Sequence, residues 1–371
     1  LASNPALAVV AGGFILSFIF GAVANRTNFC TMGAVSDVVN MGSWGRMRMW
    51  LLAIAVAIIG TYVLQFAGLI DFTKSFYVRP NATWLSYALG GFLFGVGMTL
   101  GSGCGSKTLV RLGGGSLKSL VVFICLGIAG YMTLKGLFGI WRIRFIDPVA
   151  TDLSAHGLAR QDLPTLLSSW TGVSLPAVQG AVALVVALAL LAFVFKDRDF
   201  RSSFDHILGG TVVGLVIVGG WYVTGHLGYG ENPDTLETTF AATNSHTIES
   251  LSFVAPVAYS LELLMLWSDK SLGVTFGIAA VAGIILGSLT YALTSRTFRW
   301  EGLAGAEDTA NHVIGGALMG FGGVTALGCT IGQGITGFST LAVGSIVAFA
   351  AILAGSALTM KFQYWRITRE A

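Results

Sequence analysis

Charge is scarce in this sequence. Of its 371 residues only 11% are charged, against about a quarter in soluble domains, which excludes an ordinary water-soluble enzyme. The net charge of +3 is too small to hold a nucleic acid, so no such partner is expected. Cysteine is sparse too: the four, Cys30, Cys104, Cys125 and Cys329, form no C-x-x-C pair, which leaves neither a zinc ribbon nor a disulfide framework. The five histidines show no i,i+4 or cysteine-linked spacing, so neither a metal site nor a cofactor is expected. A nucleotide-binding loop is also missing. GSGCGSKT at 101–108 comes near one, but Ser106 stands where that motif needs glycine, and an apolar span rather than a strand precedes it.

Apolar length and glycine are what the chain has in abundance. Hydrophobic residues make up 54%, and glycine fills 50 positions, largely inside apolar stretches. A transmembrane helix needs about 20 mainly apolar residues. Nine stretches qualify, at 6–24, 47–70, 84–101, 117–140, 176–195, 207–225, 272–295, 311–328 and 341–361. A tenth, Leu251–Trp267, carries Pro256 and Glu262 and reads as re-entrant or interfacial rather than as a full crossing. The expected fold is an all-α polytopic membrane protein of about nine helices, a single domain over 1–371 in the lipid bilayer. No basic stretch precedes the first span and Arg26 follows it, so it reads as a retained helix and not a cleaved leader. Fourteen of the 21 lysines and arginines fall in loops on one side. The positive-inside rule then puts the C-terminus in the cytoplasm and the N-terminus outside.

Shifting the chain by 225 residues lays YALGGFLFGVGMTLGSGC (87–104) on HVIGGALMGFGGVTALGC (312–329) without a gap, with five glycines and Cys104 matched to five glycines and Cys329. The two copies lie five crossings apart, so they run through the membrane in opposite directions. The expected organisation is a first repeat at 6–140, a linker helix at 176–195 and an inverted second repeat at 207–361. Inverted repeats with broken, glycine-rich helices point to a transport site near the bilayer midplane, where unwound backbone lines a cavity.

Three cysteines end a span and open a polar turn: Cys30 in NRTNFCTMG, Cys104 in GSGCGSKT and Cys329 in ALGCTIGQG. Around them Asn28, Thr31, Ser102, Gly103, Lys107, Gly328, Thr330 and Gln333 supply polar side chains or exposed backbone that hydrocarbon packing does not call for. Backbone amides and helix N-termini at such breaks can hold anionic oxygens while a thiol contacts a soft sulfur atom. Lys107 and Arg111 add a positive field at the inner mouth. Cys125, inside VVFICLGIAG, reads as a small buried apolar residue. GHLGYGENP (225–233) reads as a solvated turn loop or a cap over the entrance, and Glu262 is a candidate pathway acid if it lies inside the membrane.

The Gly-Cys breaks, their inverted recurrence and the nine-span layout resemble the YeeE/YedE family of sulfur-compound transporters, with the stretch 101–120 as the most specific part. That resemblance implies an hourglass-like bundle in the bacterial inner membrane, taking up thiosulfate or a related sulfur anion past three cysteines by S–H···S contacts. By motif these are Cys30, Cys104 and Cys329. It also implies a cytoplasmic TusA-like sulfur-carrier protein as partner. Many thiosulfate-importing members carry Gly-Cys-Thr-Ser-Gly-His where this chain reads Gly103-Cys104-Gly105-Ser106-Lys107-Thr108, which leaves another sulfur anion open as cargo. The alternative to a transporter is a membrane sulfurtransferase or sulfur sensor, which would accept sulfane sulfur on a cysteine thiolate.

Overall fold

The computed structural model describes residues 4–231 and 238–370. Fifteen α-helices follow in chain order: α1 (Pro5–Arg26), α2 (Thr31–Met41), α3 (Gly45–Phe66), α4 (Trp84–Leu100), α5 (Gly105–Gly113), α6 (Leu117–Lys135), α7 (Leu137–Trp141), α8 (Leu163–Thr171), α9 (Leu175–Phe195), α10 (Arg198–Ser202), α11 (Phe204–Tyr222), α12 (Ala255–Met265), α13 (Phe276–Thr294), α14 (Ala306–Thr325) and α15 (Val343–Glu370). Among the described residues, sheet is confined to two small antiparallel pairs, Asn81–Ala82 with Thr151–Asp152 and Tyr229–Glu231 with Thr238–Phe240. The chain is an all-α polytopic membrane protein.

Eight helical stretches among the described residues are long and apolar enough to cross a membrane. The ninth long helix, α14, has 20 residues and carries Glu307 and Asp308 in its first turn. These nine occupy the nine positions expected from the sequence. Their ends differ where local chemistry intervenes: Gly136 ends the span beginning at Leu117 five residues before the expected limit, and α15 runs on to Glu370. The tenth stretch is the 11-residue α12, with Pro256 in its first turn, too short to cross. Of the loop at 225–233, Asn232 and Pro233 lie outside the described residues.

Small residues let these helices approach backbone to backbone, the means by which membrane helices associate when no hydrophobic force drives them together. A Cβ on Gly97 would stand 2.6 Å from the Gly315 carbonyl, and one on Gly322 the same 2.6 Å from the Gly90 carbonyl, so α4 and α14 cross on glycines that the 225-residue shift exchanges. The helix pairs form a matching set. α1 packs on α13 and α3 on α11, while α4 packs on α15 and α6 on α14. The expected repeat sets α1 against α11, α3 against α13, α4 against α14 and α6 against α15, and under that correspondence the two pairings of each set map onto one another.

Candidate functional site

Each of the three polar breaks is built in the same way. The residue two before the cysteine adopts a left-handed backbone, with φ of 52° at Asn28, 56° at Ser102 and 59° at Leu327. The following amide then reaches back five residues to a helix carbonyl: Phe29 N to Ala24 O at 3.2 Å, Gly103 N to Met98 O at 2.9 Å, and Gly328 N to Gly323 O at 2.8 Å. This is the hydrogen bond that closes a Schellman-type helix end. The cysteine carbonyl next accepts the first bond of a new helical turn, from Ala34, Thr108 and Gln333 respectively. Cys30, Cys104 and Cys329 therefore each stand where one helix has ended and the next begins, with the positive end of the new turn beside the thiol.

The sulfurs take part in this capping. Cys30 Sγ accepts from Gly33 N and Cys329 Sγ from Gly332 N, both at 3.4 Å. Cys104 differs: its Sγ lies 3.3 Å from Ser106 Oγ and 4.0 Å from Thr31 Oγ1, which ties it to the break around Cys30. All three thiols are buried, with 5% or less of their surface accessible. Cys30 and Cys329 each lie within electrostatic reach of Cys104. The Thr330 hydroxyl and the Gln333 amide oxygen are buried without a hydrogen-bond partner among the described residues, an arrangement that costs about 1–3 kcal/mol per group unless water or a bound molecule satisfies it.

Two cavities approach these breaks from opposite ends of the bundle. One, of about 540 Å³, is lined by Cys30, Asn28, Ser102, Lys107, Arg111, Arg46 and Arg299. It is basic, and three of its cations are fixed: Arg111 donates to the Ser102 carbonyl at 2.8 Å, Lys107 to Asn28 Oδ1 at 3.4 Å, and Arg46 pairs with Asp37. The other, of about 220 Å³, is lined by Tyr77, Glu249, Ser252 and Gly328 among others. Helix α13 runs between them, since Phe276 at its start lines the smaller cavity and Arg299, beyond its end, lines the larger. Nineteen residues at 1.5 Å each set the ends of α13 about 28 Å apart. The smaller cavity reaches the third thiol through Ser252, whose Oγ lies 4.0 Å from Cys329 Sγ.

A sequence model of the family described as "Sulphur transport" matches residues 26–358. The chain belongs to the sulphur-transport family. Two relatives are both named "Thiosulfate transporter TsuA". The one from Escherichia coli (strain K12) is 25% identical over 346 residues, covering 88% of this chain and 87% of its own. The one from Spirochaeta thermophila (strain ATCC 700085 / DSM 6578 / Z-1203) is 26% identical over 353 residues, covering 93% and 96%. These names accord with reading the chain as a sulfur-compound transporter of the membrane and not as an enzyme.

Within this sulphur-transport fold, Asn28, Cys30, Ser102 and Lys107 line the larger cavity, Thr31 meets Cys104, and Gly328 lines the smaller cavity beside Cys329. Cys125 stands apart on α6, packed against Gly316 of α14. Glu262 sits in an ion pair away from the three breaks: its Oε1 accepts from Lys135 Nζ and Tyr131 Oη, both at 2.8 Å. Two residues escaped the sequence reading. Ser252 and Tyr77 both stand beside Gly332 in the turn that follows Cys329, and a Cβ there would come 2.6 Å from Ser252 Oγ and 3.4 Å from Tyr77 Oη. For Ser252 a signal existed, because SFVAPVAYS (252–260) lies on NFCTMGAVS (28–36) at a shift of 224. Phe253 takes the place of Phe29, and both rings pack on Phe20. Val254 takes the place of Cys30, and its carbonyl likewise accepts the first helical bond, from Ala258.

Proposed function

We propose that this protein takes up thiosulfate, or a closely similar sulfur anion, through a constriction lined by Cys30, Cys104 and Cys329. The observation that carries the reading is the placement of three identically built helix breaks, each presenting a thiol, between two cavities at opposite ends of the bundle. The names of the two relatives support thiosulfate as the cargo. An S–H group donates weakly to a sulfur acceptor, while amides at the starts of α2 and α5 and after Cys329 hold anionic oxygens. The Thr330 hydroxyl is free to donate to the same anion. Burial of the three thiols favours transport over the sulfurtransferase and sensor readings, both of which need a cysteine accessible to a carrier.

The two halves are inverted repeats, 6–140 and 207–361, joined through 176–195. The exchange of helix pairs between the halves and the matched glycines of α4 and α14 support this. The basic cavity opens to the cytoplasm of a bacterial inner membrane, with the N-terminus outside, as the surplus of lysine and arginine on that face favours. Its arginines draw the anion through to an exit where a TusA-like carrier docks.

Uptake of sulfur-labelled thiosulfate into proteoliposomes tests this. Saturable uptake that excess sulfate does not compete away, and that Cys104→Ala abolishes, is the expected result. Well-folded protein that takes up no thiosulfate would overturn it.

A further inference from the structure

The smaller cavity holds an acid that the cysteine path does not use. Glu249, in the loop between α11 and α12, lines this cavity with Ser252 and Gly328, which lead to Cys329. Its carboxylate accepts from Ser245 Oγ at 2.6 Å. Its backbone is fastened on both sides to Thr224, whose Oγ1 donates to the Glu249 carbonyl and accepts from the Glu249 amide. Glu249 is half-buried and lines the cavity wall.

No cation among the described residues forms an ion pair with it. The titratable and charged groups around it are Tyr77 from the turn after α3, Tyr259 on α12 and Arg142 beyond α7. Arg142 is engaged by Asp147 at 3.2 Å, and Lys135, near Tyr259, is engaged by Glu262. Burial pushes the Glu249 carboxyl up to about 7, against the opposing hydrogen bonds from Ser245 and Asn244.

A fixed negative charge here opposes any anion heading for Cys329, and a neutral carboxyl both removes that repulsion and offers an O–H donor. We infer that Glu249 is the proton-binding residue of the anion pathway: entry of an anion into this cavity and protonation of Glu249 favour one another, so that each anion bound draws a proton onto the carboxyl. The coupling is reciprocal, because linkage between two binding equilibria has to be. The inference rests on the anion-transport reading of the same site.

The test is the KM for labelled thiosulfate, an anion that stays doubly charged throughout, in proteoliposomes held at equal pH on both faces and stepped from about pH 5 to about pH 9. In the wild type KM is expected to be flat below about pH 7 and to rise above it by up to about tenfold per pH unit, the limit for one linked proton. kcat should change less. Glu249→Gln should give a KM independent of pH. Ser245→Ala removes one hydrogen bond from the carboxylate and should move the break to higher pH, which keeps the inference testable if Glu249→Gln does not fold. A folded Glu249→Gln variant with the wild-type pH profile, or a pH-independent KM in an active wild type, overturns the inference and leaves transport standing. Absence of saturable uptake by the wild type at every pH overturns the transport reading, and the inference with it.

Discussion

Ser252 places its hydroxyl 4.0 Å from the Cys329 thiol, from a chain segment that aligns with the break around Cys30 at a shift of 224. The contact joins the short α12 arm to the third cysteine at the end of the smaller cavity, much as Thr31 joins the first break to Cys104 at the same 4.0 Å. Ser252→Ala is expected to lower uptake about 2- to 10-fold, the span that loss of one modest hydrogen bond allows. Uptake within twofold of wild type in a correctly folded variant would remove Ser252 from the path.

The three thiols stand on equivalent breaks, so their substitution should have graded and interpretable effects. Alanine at Cys30, Cys104 or Cys329 removes the sulfur and, at Cys30 and Cys329, the acceptor that caps the next turn. Serine keeps a capping oxygen. If the cargo needs only a hydrogen-bond donor, each serine variant retains more uptake than its alanine partner; equal loss in both means that the path requires sulfur itself. Cys104 should show the smallest capping contribution, because no backbone amide caps on its sulfur as at the other two. Initial uptake rates of the six variants, normalised to folded protein, decide the matter.

Much of this architecture is legible in the residues. Apolar length locates nine helices because hydrocarbon demands long uninterrupted runs. The match between 87–104 and 312–329 is visible because it is carried by glycines, which the close crossing of α4 and α14 requires. What stays hidden depends on tertiary placement. Glu262 is a conditional pathway candidate in the sequence, and only the fold brings Lys135, 127 residues earlier, to meet it. Tyr77 sits in a loop with no periodicity, and nothing local to it indicates that it stands over the turn after Cys329. Val254 hides its likeness to Cys30, since it carries no thiol and only its carbonyl, which accepts from Ala258, matches.

The crossing of α4 and α14 leaves no room for a methyl group. Cβ atoms at Gly97 and Gly322 would each come 2.6 Å from a backbone carbonyl of the facing helix, which cannot turn aside as a side chain can. Gly97→Ala and Gly322→Ala are each expected to cost about 1–3 kcal/mol, the usual cost of overpacking. Gly302→Ala, where a Cβ meets nothing within 4 Å, should leave stability unchanged or slightly raised. Thermal unfolding in detergent compares the three. Equal melting temperatures would show that the helices separate freely at this crossing.

Glu262 is almost fully buried, at 6% side-chain accessibility, while its partner Lys135 is 53% accessible. Lys135→Met leaves the carboxylate with only Tyr131 as donor. Because the ammonium is half in solvent, the loss should fall below that of a fully buried pair, at about 1–3 kcal/mol. Glu262→Gln keeps an acceptor for Tyr131 and should cost less. A larger loss in Glu262→Gln than in Lys135→Met would contradict the structural role.

Stability should also respond to pH through Glu249. Burial holds its folded-state value near 7, above the ordinary 4.5, so the folded protein binds the proton more tightly than the unfolded chain does. The contribution is therefore fully present below about pH 4.5, declines as pH rises, and is gone once pH passes the folded value near 7. At about 1.4 kcal/mol per pH unit, the interval from 4.5 to about 7 amounts to about 3 kcal/mol. Glu249→Gln removes the titration and keeps a neutral acceptor for Ser245. The variant should match the wild type near pH 5 and melt at higher temperature than it at pH 8. A wild-type-minus-variant difference that does not change between those two pH values would mean that Glu249 is already ionised throughout, and that solvent in the cavity reaches its carboxyl.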